Sequence, residues 1–469
     1  MPNRGSRPAI LLRESYRDGA KVKNRTLANL SDWPPEQIEA LRGDKLVLIH
    51  TCSAPLLCRR MAECICPTER PAMFRSFEED HHANAANIRR PPLHLLAGAS
   101  LASLARTLSR HGGVSPRYYP QVAIIFGSAF LRWPACMVEE LRVARRVKAV
   151  LFDPPPVFII GHWRSGTTFL HNLMSRDPGF CFPTIVDALR PYDFYPSPFE
   201  FISRRVLLRF LPPTRPMDDV RLDAELPQEE ELALATMGAP SFLNCLYFPK
   251  QMGKVFAEQV LFTGADDETL KSWRDALTYY LAKLAALNQG RRLLLKNPAH
   301  SARIRHLRAL FPGAKFIHIH RHPWAVFHST RKLYRSMLPR CALQEYRPAD
   351  IDDHILWSYP ELMNRLLDGL AELPSGHVAV VRYDDLAADP TGAVSRVYRE
   401  LDLGDFERVK SSIQAYAAEH LHGSSPAPDI DRQIASRLAF HWGAVCTRLG
   451  YPPLAPAPES AIASTMHDG

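Results

Sequence analysis

The feature that most constrains this chain is an apolar run, Val157-Phe158-Ile159-Ile160, that passes directly into Gly161-His162-Trp163-Arg164-Ser165-Gly166-Thr167-Thr168, with an amphipathic helical pattern starting at once in FLHNLM. Strand, glycine-flanked loop and helix amino terminus in immediate succession make an anion cradle. Backbone N–H groups that no helical turn can satisfy point outward, and the helix dipole adds positive potential. Gly161 and Gly166 are five positions apart, as in nucleoside-triphosphate loops, yet Thr167 stands where those loops carry lysine. The positive charge comes instead from Arg164, inside the loop, and nothing in the motif calls for a γ-phosphate or a magnesium site.

The chain beyond Val157 fits this start. Short β-branched runs, VFII, RLLL, KFIHIH and VAVV, alternate with longer helical patterns, which predicts an α/β fold with a mostly parallel central sheet flanked by helices. The KFIHIH strand ends at Arg321, Pro323 opens a helix, and Ser329 lies on that helix eight residues beyond Arg321. An arginine leaving the carboxyl end of a parallel strand stands where such sheets bind ligands, and its planar fork suits a phosphate monoester.

With both segments in view, the chain resembles the sulfotransferases that use 3′-phosphoadenosine 5′-phosphosulfate (PAPS), in the bacterial branch with a GHWRSGTT loop. RPMDDV (Arg215 to Val220), LPQEEELAL (Leu226 to Leu234), LLLKNPAHSARI (Leu293 to Ile304), VRYDDLAADP (Val381 to Pro390) and HWGAVCTRLGYP follow in that family's order, so the likeness runs from residue 93 to residue 451. The resemblance implies a P-loop sulfotransferase-type fold and transfer of a sulfuryl group from PAPS to a hydroxyl or amine of a glycan, lipid or small molecule, with no metal required. It assigns Arg164 to the bridging and leaving oxygens, and the backbone of Ser165, Gly166, Thr167 and Thr168 to the 5′-phosphate. Phe169 would pack on adenine, Arg321 and Ser329 would hold the 3′-phosphate, and Tyr383, in an RYDDL element similar to the family's Tyr-Glu-Asp-Leu, would border the nucleotide. A 3′-phosphate pocket is what separates this reading from its alternative, a P-loop kinase.

An acceptor hydroxyl needs a base for its proton, and the leaving phosphate needs cations. Arg164 and Lys296 are the candidates for the cations. The base is left open, because Lys296 is followed by Asn297-Pro298 rather than by the family's histidine two residues on, and FCFPTIVDALR offers only Asp187. The candidates, in order, are Glu229 or Glu231, then His300, then Asp187; glutamates at a helix start also simply suit the dipole.

Four segments lie outside this domain, which is read as 151–452. Residues 1–47, with an apolar run from Ala9 to Leu12, a turn at Asp18-Gly19, Pro34-Pro35 and a helix-like Glu36 to Arg42, resemble the amino-terminal segment of insertion-sequence DDE transposases. A DNA-binding transposase remnant is the non-enzyme alternative, but a few basic residues make no phosphate track and no nucleic-acid partner is expected. Residues 48–92 read as a poorly ordered join whose Cys52, Cys58, Cys64 and Cys66 fit no zinc pattern, and 453–469 as a disordered tail. The singly scattered cysteines from Cys136 onward suit a reduced, cytoplasmic protein.

Residues 93–150 read as a helical extension. LHLLAGASLASLARTL and MVEELRVARRV have helical spacing, with the apolar PRYYPQVAIIFGSAFLRWP between them. This segment either packs on the main domain or makes an in-plane membrane contact through 115–150, on the inner face, with Arg117, Arg132, Arg142, Arg145, Arg146 and Lys148 toward anionic headgroups. The longest apolar run, Val122 to Leu131, is far shorter than the roughly 20 residues a spanning helix needs, so no transmembrane helix is expected. The net charge of +9 suits any anionic partner and chooses none.

Overall fold

The computed structural model describes residues 11–18, 21–29, 94–196, 198–210, 225–420 and 432–452. Gly19, Pro34-Pro35, Glu36 to Arg42, the join at 48–92, RPMDDV and the tail at 453–469 lie outside them. The chain divides into two units, 1–86 and 87–469. In the first, β1 (Leu11–Asp18) and β2 (Lys21–Asn29) pair antiparallel, from Leu11 opposite Asn29 to Asp18 opposite Lys21, with a register shift between Leu12 and Arg13.

The second unit is built on five strands, β3 (Val157–Ile160), β4 (Phe180–Cys181), β5 (Arg292–Lys296), β6 (Lys315–His320) and β7 (Val378–Arg382), in the order β4-β5-β3-β6-β7 with every neighbouring pair parallel. The apolar runs of β3, β5 and β6 are continuous because both faces of the sheet are covered there, while the edge strand β7 leaves Val380 exposed. Alternation still sorts them: Val157, Ile159, Leu294 and Ile317 enter one core, while Phe158, Ile160, Leu295 and Phe316 enter the other.

The principal helices, in chain order, are α1 (Leu101–Arg110), α2 (Tyr119–Lys148), α3 (Thr167–Met174), α4 (Pro198–Phe210), α5 (Glu231–Thr236), α6 (Asp267–Leu287), α7 (Pro323–Cys341), α8 (Asp350–Ala371), α9 (Pro390–Glu400), α10 (Glu407–His420) and α11 (Arg432–Arg448), with further short helices between them. Leu170 and Leu173 of α3, Val394 and Val397 of α9 and Ile413 of α10 close the core on one face. The other face is covered by α5, α6, α7, α8 and α11, and by α1 and α2 as well, since Leu104, Ile125 and Ala129 belong to the same core as Phe158 and Phe316.

The segment before the sheet differs from its sequence reading in one respect. The apolar piece and the second helical run form a single helix, α2, which starts with Pro120 in its first turn, where the missing N–H costs nothing, and continues through Pro134. Counted from Pro116 to Lys148, this helix is long and apolar enough to cross a membrane by length and composition. The sequence expectation stopped at Leu131 because Arg132 ends the uninterrupted run. In the structure Arg132 is turned inward, where its guanidinium pairs with Asp193 and donates to the Ala97 carbonyl at 3.0 Å, so it neither ends the outward apolar face nor faces headgroups.

If α1 shares the core of the sheet, Leu104→Ala lowers the stability of the whole second unit by about 2–5 kcal/mol, the usual cost of emptying a buried leucine site. Differential scanning calorimetry should show the main unfolding transition move down as one. A separate early transition, with the main one unmoved, would mean that residues 94–150 fold on their own.

Candidate active site

Three neighbouring strands deliver the site. β3 is central, and its carboxyl end runs into Gly161; β5 on one side ends at Lys296, and β6 on the other leads to Arg321. Parallel pairing, with Ile159 opposite Lys296 and Ile160 opposite His318, sets all three ends on one edge of the sheet.

The loop is shaped by close contacts. Gly161 has a φ of 147°, and a Cβ there would lie 2.2 Å from the carbonyl oxygen of Ile319 on β6. Ser301 Oγ accepts from the Gly161 N–H at 2.9 Å and donates to its carbonyl at 3.1 Å, so one side chain satisfies both polar groups at the strand end. Gly166, with a φ of 94°, caps α3, and its missing side chain makes room for the Tyr383 ring, which a Cβ would meet at 2.2 Å. Arg164 holds a φ of 70°, a left-handed conformation that costs a non-glycine residue roughly 1–3 kcal/mol and that clusters at functional loops. The first N–H groups of α3, at Thr167, Thr168 and Phe169, have no helical acceptor and complete the cradle.

The second anion segment meets the first. Arg164 Nε donates to Ser329 Oγ of α7 at 2.7 Å, and the Arg321 guanidinium stacks 4.3 Å above the Tyr383 ring that also packs on Gly166. Arg164, Ser165, Gly166, Thr167, Thr168, Arg321, Ser329 and Tyr383 therefore converge on one place. Phe169 is half-buried against the core beneath α3. Lys296 joins from the other side: its ammonium pairs with Glu229 and lies 3.4 Å from Thr168 Oγ1.

The base candidates separate sharply. Glu231 accepts from the Phe242 N–H at 2.6 Å and from Asn297 Nδ2 at 2.7 Å, and it pairs with the fully buried Arg303 at 3.3 Å. Burial pushes its carboxyl up, but the Arg303 charge and these hydrogen bonds outweigh that and hold it below the ordinary range. With three donors on its carboxylate inside the core, Glu231 is placed to brace the wall rather than to take a proton. His300 is fully enclosed, edge-on to Phe158 and Trp273, with Nε2 2.9 Å from Glu230 Oε1 but not aligned for a hydrogen bond. Asp187 is used in a capping box with Thr184; burial raises its pKa against the Thr184 hydrogen bonds that lower it. Glu229 stands partly exposed, against Lys296 at the mouth of the loop, whereas Asp187, also only partly buried, is held by its capping box.

Sequence reading missed Ser301, Asn297, Glu230 and Arg303. Ser301 had a local signal, since a small polar residue in the turn after β5 can reach the neighbouring strand end. The others become legible only when Glu229–Glu231 is laid against Lys296–Arg303.

Residues 155–407 match the model of the Sulfotransferase family, and residues 1–44 match the IS1634 family transposase, N-terminal domain. Relatives from Mycobacterium bovis and Mycobacterium tuberculosis, each named omega-hydroxy-beta-dihydromenaquinone-9 sulfotransferase Stf3, are 31% identical over 325 residues, covering 68% of this chain and 81% of theirs. The crystal structure of sulfotransferase STF9 from Mycobacterium avium superposes with a TM-score of 0.54 at 15% identity, covering 76% of this chain and 97% of that one; the likeness is one of fold.

The geometry predicts opposite behaviour for two neighbouring glutamates. Glu231→Gln strips Arg303 of its buried counter-charge and lowers the unfolding free energy by about 3–5 kcal/mol, as breaking buried pairs does. Urea unfolding should show that loss clearly larger than the loss for Glu229→Gln, because Glu229 is itself partly exposed and its pair with Lys296 is open to water on that side. Equal losses would contradict the division of labour drawn here.

Proposed function

This chain belongs to the sulfotransferase family, and from that premise we propose that it transfers a sulfuryl group from PAPS to the hydroxyl of an apolar alcohol. One observation carries the donor reading, the 2.7 Å hydrogen bond from Arg164 to Ser329. It joins the loop cradle and the Arg321 segment into one site with two anion positions, which suits a nucleotide phosphorylated at both its 5′ and 3′ ends. PAPS supplies the activated sulfate. Residues 165–168 hold its 5′-phosphate through backbone N–H groups, Arg164 meets the leaving oxygen, and Arg321 with Ser329 takes the 3′-phosphate.

Glu229 accepts the acceptor's hydroxyl proton as that oxygen attacks sulfur. The bond between sulfur and the 5′-phosphate oxygen breaks, and 3′,5′-adenosine bisphosphate leaves with the electron pair. Lys296 lies between Glu229 and Thr168, so the positive charge that steadies the carboxylate before transfer is beside the leaving phosphate once Glu229 is protonated. The apolar acceptor is supported by the relatives, whose name specifies a hydroxylated menaquinone derivative.

Titration calorimetry with 3′,5′-adenosine bisphosphate, 5′-AMP and ATP tests the donor site. The bisphosphate should bind tightest, and Arg321→Ala should weaken it about a hundredfold through loss of a charge-assisted pair while leaving 5′-AMP almost unchanged. Tighter binding of ATP would move the assignment to a kinase.

The base is tested by rate. With labelled PAPS and an ω-hydroxylated isoprenoid quinone, Glu229→Gln should lower kcat by about 10²–10⁴-fold with the bisphosphate affinity preserved. A variant that turns over like the parent removes Glu229 from the chemistry.

A further inference from the structure

α2 is amphipathic the wrong way round for a surface helix. Its inward side carries charge: Arg132 pairs with Asp193, and Glu139 pairs with the buried Lys283 and accepts from the Tyr195 N–H at 2.6 Å. Its outward side is apolar. Leu131 is 80% exposed, Leu141 78% and Phe130 64%, with Tyr119, Ile124, Trp133 and Met137 also open. From Tyr119 to Leu141 this face runs about 35 Å at helical rise. A soluble helix normally puts its apolar stripe against the core and its charges outside.

The apolar face ends in cations. Arg142, Arg145, Arg146 and Lys148 are exposed in the last turns of α2, and Arg117 is exposed just before its start. Exposed Glu140 is the one outward acid between Arg117 and Lys148. α4 repeats the pattern, with Phe201, Ile202 and Val206 exposed beside exposed Arg205 and Arg209. A chain of ion pairs, Arg132 to Asp193, Asp193 to Arg190 at 3.4 Å and Arg190 to Glu200 at 3.7 Å, ties α4 to the middle of α2.

We propose that the outward faces of α2 and α4 form a docking surface for an anionic lipid bilayer, on which the protein lies in the plane of the membrane. Paired charges at Arg132 and Glu139 and the buried Ile125, Ala129 and Val143 hold α2 along the domain, so it lies flat instead of crossing. The apolar side chains then enter the boundary region to a depth of about 5–10 Å, with Tyr119 and Trp133 suited to that polar-apolar border. Charge chooses the bilayer over a second copy of the chain. A two-fold dimer through this face would set the basic end of α2 against its own copy or, with the helices antiparallel, against the start of α2 with Arg117, and neither arrangement brings acids to those cations, whereas acidic headgroups neutralise them.

The surface also leads to the site. Arg204 of α4 pairs with Glu225, four residues before Glu229, so the docked face adjoins the segment that carries the proposed base. The inference rests on the surface alone and stands whichever donor the loop holds.

Vesicle flotation of the full-length protein tests it, with phosphatidylcholine alone and with phosphatidylcholine mixed with phosphatidylglycerol. The protein should float with the mixed vesicles. Leu131→Ser with Leu141→Ser should cut partitioning about a hundredfold, since two exposed leucines lose their transfer gain, while the far-UV circular dichroism spectrum and Tm stay unchanged because neither side chain is in the core. Arg145→Glu with Lys148→Glu should cut binding to the mixed vesicles by about tenfold or more and leave binding to phosphatidylcholine alone unchanged. Failure of the parent to float, or a leucine variant that floats as well as the parent, would sink the proposal. So would a parent dimer in gel filtration that the leucine variant makes monomeric with no change in flotation. Calorimetric binding of 3′,5′-adenosine bisphosphate by the same preparations reads the donor site separately.

Discussion

Three consecutive carboxylates meet three basic side chains spaced along one turn, Lys296, His300 and Arg303, and the arrangement of the wall depends on that ladder. Glu229 pairs with Lys296, Glu230 faces His300, and Glu231 pairs with Arg303. The segment at 296–303 leaves the sheet beside the central strand, and its Ser301 closes both polar groups of Gly161. The turn that begins α5 is thereby fixed to the strand end that begins the loop. A shift of one residue on either side would bring an acid opposite an apolar position in a closed core, where an unpaired charge costs several kcal/mol.

Such a ladder is weak evidence for stability as such, because desolvating buried ions offsets much of their attraction. Its stronger effect is on direction. Glu231 and Arg303 are satisfied by the backbone as well, through the Phe242 N–H and the Gln259 carbonyl, which leaves them no freedom to rotate. Glu229, one turn-step outward, inherits a fixed position against Lys296 while keeping an exposed edge. The cation at Lys296 and the two arginines at Arg164 and Arg321 then approach from three sides, with an ion pair, a serine hydroxyl and a tyrosine face as their respective partners.

What could be read from the sequence was what lies close together in it. The loop from Gly161 to Thr168 announces itself, because strand, glycine spacing and helix start are adjacent, and Arg321 with Ser329 is set by one strand end and one helix. The alternation of runs gave a parallel sheet, and the structure has five parallel strands. The choice among the glutamates was not legible. Helical rotation of about 100° per residue sends three neighbours in three directions, and only the partners, 67 to 72 residues away, tell them apart. Arg132 misled for the same reason: as a letter it ends an apolar run, yet its partner Asp193 lies 61 residues on and turns it inward.

That inward turn explains why α2 could evolve an apolar exterior without losing its place on the domain. A helix held by apolar contacts alone has one sticky face, and a second apolar face would leave it able to settle either way round. Here the ion pairs at Arg132 and Glu139 carry directional information that apolar contact lacks, because a flipped helix would take from the buried Asp193 and Lys283 the opposite charges that α2 supplies. The buried charges set which face points in, and the outward face is then free to be chosen for what it touches.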